Sequence, residues 1–148
     1  MIPKGRVIGL DLGSARIGVA VTDPEQRLAT PADVITRSGH KEADHGAVAR
    51  LVADYEAVGV VVGVPLSMSG AVGPAARSAL EEVEELRAAV PVAVDTVDER
   101  LTTVSATGAL RAAGRKARAQ RAVIDQTAAA VLLQSWVDRR RSEQGAHS

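Results

Sequence analysis

Three acidic residues stand where regular elements begin or end, and their positions suggest a shared chemical role. Asp11 follows an apolar run directly, Glu99 comes shortly after another, and Asp125 lies at the front of a helix with periodic apolar residues. A buried carboxylate is costly unless it is paired or bound to a cation. Three carboxylates at one sheet edge would repel one another, and a divalent cation would relieve that repulsion. The pattern predicts a Mg²⁺ or Mn²⁺ site of the kind that hydrolyses phosphodiesters.

Each acid also has a simpler explanation when it is taken alone. Asp11 could accept hydrogen bonds from the backbone amides of a turn. Glu99 and Asp125 could each stabilise the positively polarised start of a helix. These alternatives stay open for the single residues. The joint explanation is favoured because the inferred element order sends all three residues toward one sheet edge.

The composition is that of one globular domain without thiol chemistry. The chain has 148 residues, 46% of them hydrophobic, and no cysteine. Disulfides, thiolate metal sites and a cysteine nucleophile are therefore excluded. The N-terminal residues resemble neither a signal peptide nor a membrane span, so we expect a cytoplasmic protein with no membrane partner. We predict a single domain over residues 1–141 and a disordered tail over 142–148.

Positive charge is clustered although the formal net charge is zero. Five bases and no acid lie between Arg111 and Arg121, and a second basic block covers residues 139–141. Such segregation can give a neutral protein one basic face that binds phosphates, although solvated helix surface would look the same. The residues predicted to bind nucleic acid are Arg16, Arg100, Arg115, Lys116, Arg118 and Arg121.

The periodicity of apolar residues predicts an α/β domain. The predicted strands are 6–12, 16–22, 28–35, 59–64 and 91–95. The predicted helices are 47–55, 75–89, 102–112 and 121–137, with a basic loop at 115–120. Antiparallel strands followed by strand–helix–strand units imply a five-stranded mixed sheet with helices on both faces. In that sheet Asp11 would lie on a central strand, near the strand that leads to Glu99.

Side-chain patterns add three smaller expectations. The helix at 75–89 should turn Leu80, Val83 and Leu86 inward and its glutamates outward. His40 and His45 lie in a polar stretch and should be exposed, and no histidine accompanies a serine and an acid in the manner of a hydrolase triad. The last helix should present one apolar stripe, formed by Ile124, Ala128, Val131 and Leu132.

Four segments, in combination, resemble the motifs of the RuvX (YqgF) family. They are Asp11–Asp23, Val62–Leu66 with Gly70 beyond it, Asp98–Thr103 and Ile124–Ala129. The resemblance covers nearly the whole chain, from residue 6 to residue 138. It implies a ribonuclease H-like fold, with Holliday junction resolvases as structural relatives, and it makes Asp11, Glu99 and Asp125 the catalytic acids.

The resemblance implies a metal-dependent nuclease that acts on structured nucleic acid. The roles assigned in the family are trimming the 5′ end of precursor 16S ribosomal RNA and cutting four-way DNA junctions. Asp11 would bridge two cations roughly 3.5–4 Å apart, and the other two acids would complete their shell. Ser67-Met68-Ser69 departs from the Asn and Asp often found there, which questions substrate contacts by this loop but not the acids.

Other readings of the chain remain open. A nucleic-acid-binding assembly factor without cleavage would share the fold and the basic face. ATP-binding proteins of the actin and sugar-kinase type also begin with Asp-x-Gly and a hairpin, but this chain is too short for their two domains. The choice between RNA and DNA is open, and so is a homodimer. Val131, Leu132 and Trp136 are candidate contacts for it, although core packing is the favoured use for most of them.

Overall fold

The computed structural model describes residues 2–66, 69–101 and 117–146, and the side chains of residues 2–66, 69–100 and 127–143. The strands are β1 (Val7–Leu12), β2 (Arg16–Thr22), β3 (Ala29–Thr36), β4 (Gly59–Val64) and β5 (Ala93–Asp98). The helices are α1 (Lys41–Asp54), α2 (Pro74–Ala89) and α3 (Ala117–Ala146), with a 3₁₀ turn at Glu99–Leu101. The predicted helix at 102–112 lies outside the described residues.

The five strands form one mixed sheet in the order β3-β2-β1-β4-β5. β1 is antiparallel to β2 and parallel to β4, and β4 is parallel to β5. All six residues of β4 are buried, as expected for a strand that is covered on both faces. The predicted mixed sheet is therefore confirmed, with β1 at its centre.

Helices cover both faces of the sheet, and alternating side chains along each strand supply the two cores. On one face α1 and α2 pack against a cluster that includes Leu10 and Val62. On the other face α3 packs against a cluster that includes Val7 and Val61. Burying each such side chain contributes about 1.5–3 kcal/mol. Within the described ranges, no helix combines the length and the apolar character needed to cross a membrane.

Helix α3 is longer than predicted at both ends. It begins at Ala117, so the predicted loop at 115–120 is wrong for residues 117–120, while 115 and 116 lie outside the described residues. It continues to Ala146, so residues 142–146 are helical rather than part of a disordered tail. The arginines, glutamate and glutamine near its end have good helix propensity and allow the helix to continue.

The buried stripe of α3 is also rotated from the predicted one. The predicted stripe included Ala128 and Val131, but both are only half-buried; Ile124 has no described side chain. The buried residues are Ala129, Leu132, Leu133, Trp136 and Val137, with the spacing of one helical face. Leu132 and Trp136 therefore serve the core, and the dimer contact considered for them is not supported.

Two further elements differ from prediction by more than one residue, and both matter for the site. Helix α1 begins at Lys41, six residues earlier than expected, with two acids in its first turn that favour the helix dipole. Strand β5 runs from Ala93 to Asp98 because it pairs with the whole length of β4. Pairing of Asp98 with Val64 carries the chain to the sheet edge immediately before Glu99.

Candidate active site

Asp11 lies near the end of the central strand, at the carboxyl edge of the sheet. Its neighbours Leu10 and Leu12 pack on the α1 and α2 side, so the alternation of the strand turns Asp11 toward the α3 side. Asp11 pairs with Gly18 of β2 and is half-buried. A central strand flanked by partners on both sides holds this carboxylate rigidly, as a metal ligand requires.

Glu99 comes to the same edge from β5 by lying across the backbone of β4. A Cβ built on Gly63 would lie 2.9 Å from Glu99 Oε1 and 3.0 Å from Leu132 Cδ2. The absence of a side chain at Gly63 therefore makes the space in which Glu99 lies. Leu132 of α3 closes this space from above, so the carboxylate is partly withdrawn from water.

The side chains of Asp11 and Glu99 are joined by a hydrogen bond. Burial, followed by the charge and hydrogen bond of Asp11 and the charge of Asp98, raises the pKa of Glu99 from 4.5 to about 7. A hydrogen bond between two carboxyl groups needs one proton, which the two groups share. Two adjacent carboxylates repel each other when both are ionised. Their oxygen atoms are the type of ligand that a hard divalent cation prefers, so the pair fits such a cation.

Asp125 is the third acid predicted for this site, and its backbone belongs to α3. Its side chain lies outside the described residues, so its role remains a prediction. Position 125 precedes Leu132 by seven residues and therefore shares a helix face with it, the face that packs over Gly63. Among the side chains that the structure describes, no three His, Asp or Glu residues form a group that could hold a metal.

Arg100 follows Glu99 in the chain and is paired with Asp98, the residue that precedes Glu99. Its Nε donates to Asp98 Oδ2 at 2.8 Å and its backbone N–H donates to Asp98 Oδ1 at 2.9 Å. These hydrogen bonds from Arg100 lower the pKa of Asp98. The guanidinium also lies beside Gly70, where a Cβ would be 3.3 Å from its Nη1. An exposed cation is thus held next to the acid pair.

The remaining predicted nucleic-acid contacts are only partly visible. Arg16 begins β2 opposite Thr36 and is half-buried. Arg115 and Lys116 lie outside the described residues. Arg118 and Arg121 belong to the backbone of α3, but their side chains are not described. The structure therefore puts Arg100 beside the acids, whereas phosphate binding by the basic segment stays a prediction. Ser67 and Met68 also lie outside the described residues, so the question of substrate contacts by their loop stays untested.

A cleft of about 970 Å³ opens beside the acid pair. Its lining includes Asp11 and Glu99, together with Lys41 of α1 and Ser78 and Ala79 of α2. The cleft lies at the carboxyl ends of β1 and β4, where open α/β sheets bind ligands. Both acids are therefore accessible from an open cleft at this edge of the sheet.

Sequence reasoning missed a buried charged cluster in the wall of this cleft. Arg37 donates through Nη1 and Nη2 to the two Glu82 oxygens at 2.9 and 3.0 Å, and His45 Nε2 lies 2.8 Å from Glu82 Oε2. The side chains of Glu82 and His45 are only 6% and 4% exposed. The expectations of an outward Glu82 and an exposed His45 are wrong, whereas His40 is exposed as predicted.

The helical periodicity contained the signal for this cluster. Glu82 falls on the buried stripe of α2 with Ala79, Val83 and Leu86, whereas Leu80, predicted inward, is 38% exposed. Burial alone would raise the pKa of Glu82, but hydrogen bonds from Arg37 and His45 outweigh it and lower that pKa. The ionised carboxylate is therefore fully partnered, which a buried charge requires.

Comparison with known proteins places this arrangement in a family. Residues 5–139 match the RuvX family, whose description is "Holliday junction resolvase". The chain belongs to the RuvX family. The RuvX chain is 49% identical over 140 residues to a Mycobacterium sp. (strain KMS) protein named "Putative pre-16S rRNA nuclease", covering 94% of this chain and 83% of that protein. A Nocardia farcinica protein of the same name is 48% identical over 143 residues, covering 93% and 79%.

Solved structures of other proteins are similar in fold to this RuvX protein. RuvC from Thermus thermophilus superposes with a TM-score of 0.54 at 17% identity, over 93% of this chain and 96% of that chain. The T. thermophilus RuvC structure in complex with a Holliday junction substrate gives a TM-score of 0.59 at 16% identity, over the same shares. The predicted ribonuclease H-like fold and the predicted family are confirmed.

Proposed function

We propose that this protein is a metal-dependent nuclease that hydrolyses phosphodiester bonds of structured RNA and processes the 5′ end of precursor 16S ribosomal RNA. The observation that carries the proposal is the hydrogen-bonded pair of Asp11 and Glu99 at the carboxyl edge of a RuvC-like sheet. Family membership supports hydrolysis of nucleic-acid esters. The names of the relatives support the ribosomal RNA substrate.

Asp11, Glu99 and Asp125 would hold Mg²⁺ or Mn²⁺. The surroundings of Glu99 support the fit: its pKa is raised first by burial and then by the charges of Asp11 and Asp98, and a cation would relieve the repulsion among these acids. When bound, the metal supplies an activated water and stabilises charge on the leaving oxygen. Before a cation binds, the proton held between Asp11 and Glu99 limits the repulsion between them.

The basic residues would bind and orient the substrate backbone. Arg100 lies next to Glu99, and its pairing with Asp98 limits the directions in which it can meet a phosphate. Arg16, Arg115, Lys116, Arg118 and Arg121 would extend that contact. The chain has one tryptophan, one tyrosine and no phenylalanine, which favours recognition of shape and backbone over base stacking.

A second candidate function is resolution of four-way DNA junctions, which the description of the matching family favours. Symmetric cutting of a junction would call for a homodimer. A third is ribosome assembly by binding without cleavage, which would need the basic residues but not the acids. The ribosomal RNA assignment carries with it a cytoplasmic location.

The experiment is cleavage of labelled substrates by purified protein with Mg²⁺ or Mn²⁺, with Asp11→Asn as the control. The substrates are single-stranded RNA spanning a precursor 16S 5′ end, duplex RNA and a four-way DNA junction. RNA cleavage that Asp11→Asn abolishes is the expected result. Symmetric cutting of the junction alone would make the protein a resolvase, and binding without cleavage would favour the assembly role.

A further inference from the structure

The buried cluster in the cleft wall reaches the chain segment that follows Asp11. Arg37 Nε donates to the carbonyl oxygen of Gly13 at 2.7 Å, and the Arg37 backbone N–H donates to the carbonyl of Ala15 at 2.9 Å. The Gly13 N–H in turn donates to the carbonyl of Asp11 at 3.1 Å. A continuous line of hydrogen bonds therefore connects Glu82 to the backbone of Asp11 through Arg37 and the β1–β2 turn.

The turn itself leaves little freedom once these bonds are made. A Cβ on Gly13 would lie 2.5 Å from the carbonyl oxygen of Arg16, so this close approach requires glycine. Gly13, Arg37 and Glu82 line the same cleft as Asp11 and Glu99. The turn joins β1, which contains Asp11, to β2. Arg37, in the cleft wall, contacts the carbonyl of Gly13 in this turn.

The guanidinium that makes this contact is held by hydrogen bonds at all three of its nitrogens. Both of its Nη atoms are engaged by Glu82, and Arg37 is 16% exposed in its side chain. Glu82 is itself held by His45 from α1. Planar, bidentate pairing fixes the direction of the third donor, Nε, which a flexible ammonium could not do.

We propose that Arg37 is a positioning residue for the carboxylate of Asp11, which it holds through the carbonyl of Gly13. Glu82 fixes the orientation of Arg37, and His45 fixes Glu82. This inference rests on the proposed function, because it assigns the cluster to the metal site of the nuclease. Groups that orient a metal ligand typically change metal affinity or activity about 10–100-fold when they are replaced.

The test measures Mn²⁺ affinity by electron paramagnetic resonance on folded, substrate-free protein, together with kcat and KM for RNA cleavage. Arg37→Lys keeps the charge beside Glu82 but cannot donate in three fixed directions. We expect Mn²⁺ affinity to fall about 10–100-fold and kcat to fall with it, while KM changes little. Glu82→Gln should act in the same direction, because its amide donor faces the guanidinium.

The matched control is Gln134→Leu, which removes hydrogen bonds at the opposite end of β3. Gln134 accepts from Ala29 N at 2.8 Å and donates to the Arg27 carbonyl at 3.0 Å. It should lower the urea midpoint without changing Mn²⁺ affinity. Arg37→Lys and Glu82→Gln variants that bind Mn²⁺ like the wild type would overturn the inference, and so would loss of folding in both.

Asp11→Asn separates this inference from the proposed function. If Asp11→Asn loses Mn²⁺ binding while Arg37→Lys retains it, the positioning role fails and the metal site stands. If Asp11→Asn binds Mn²⁺ as the wild type does, the proposed metal site itself is wrong. If both variants lose affinity while Gln134→Leu retains it, both proposals are supported.

Discussion

Glu99 lies directly over Gly63, with its Oε1 only 2.9 Å from the point where a Cβ at that position would stand. Leu132 Cδ2 is 3.0 Å from the same point. Because Gly63 has no side chain, β4 leaves a space in which Glu99, which follows β5, can lie beside Asp11. The pairing of β4 with β5 and the packing of α3 are both needed to create this relationship.

Gly63→Ala should therefore damage the site more than the fold. The added methyl group would displace Glu99 or Leu132, at a cost of about 1–3 kcal/mol in the free energy of unfolding. A displacement of about 1 Å at the acid should reduce cleavage roughly 10²-fold. Urea denaturation and single-turnover cleavage measure the two effects.

A suitable comparison for that variant is Gly46→Ala in α1. No heavy atom lies within 4 Å of a Cβ at Gly46. Alanine is favoured over glycine inside a helix, so this variant should be as stable as the wild type or up to about 1 kcal/mol more stable. Equal cleavage by Gly63→Ala and Gly46→Ala would contradict the assigned relation between Gly63 and Glu99.

The acid pair should make metal-free protein less stable as pH rises. The pKa of Glu99 is raised from an ordinary value of 4.5 to about 7, so between these values the folded state binds more protons than the unfolded state. The stability that this proton contributes is fully present below about 4.5 and is lost as pH rises through about 7. Urea denaturation in chelator across this range measures the decline.

Glu99→Gln removes the titrating group and should flatten that decline. Millimolar Mg²⁺ should also reduce the decline in the wild type, because a cation bound only by the folded state stabilises it. An unchanged slope in Glu99→Gln would show that other groups account for the pH dependence.

Glu82 should be far more important for stability than the other glutamates of its helix. Glu82→Ala would leave Arg37 and His45 buried without their acceptor, and breaking a buried pair costs about 3–5 kcal/mol. Glu85→Ala is the matched control, because Glu85 pairs with Lys41 at 3.3 Å on exposed surface. Such pairs contribute about 0–1 kcal/mol. Urea midpoints of the two variants measure the difference.

The same carboxylate predicts the acid sensitivity of the fold. The pKa of Glu82 is lowered from its ordinary value of 4.5, so the unfolded state binds more protons in the window just below that value. Its contribution to stability is present above about 4.5 and is lost as pH falls through the folded-state pKa. Glu82→Ala should show a shallower loss below pH 4.5 than Glu85→Ala does.

RNA binding should depend on salt, and Arg100 should account for part of that dependence. Each phosphate contact contributes about 0.7–0.9 to the slope of log affinity against log salt concentration. Arg100→Ala should weaken binding similarly for RNAs of different sequence and should reduce the slope by about 1. Arg50→Ala on exposed α1 is the control, and an Arg100→Ala slope equal to it would remove Arg100 from the phosphate-binding residues.

The local pattern of apolar and polar residues was sufficient to predict most of the fold. β2 and β4 have the predicted bounds because glycine, proline or polar residues mark the ends of their apolar runs. The placement of Asp11 followed from the alternation of β1, which depends only on backbone geometry. The family motifs added the ribonuclease H-like fold and the catalytic assignment expected for the acids, which periodicity could not supply.

The tertiary structure decided where the charges are buried and where the elements end. Strand β5 reaches Asp98 because β4 offers a partner along its whole length, a fact that no window of the β5 sequence contains. Glu82 is buried because Arg37 and His45, which are 45 and 37 residues away in sequence, meet its oxygens. The sequence by itself determined the order of elements and indicated the candidate acids, since both inferences depend on near neighbours. Whether a charged side chain is exposed or partnered depends on distant residues, and only the folded chain brings these together.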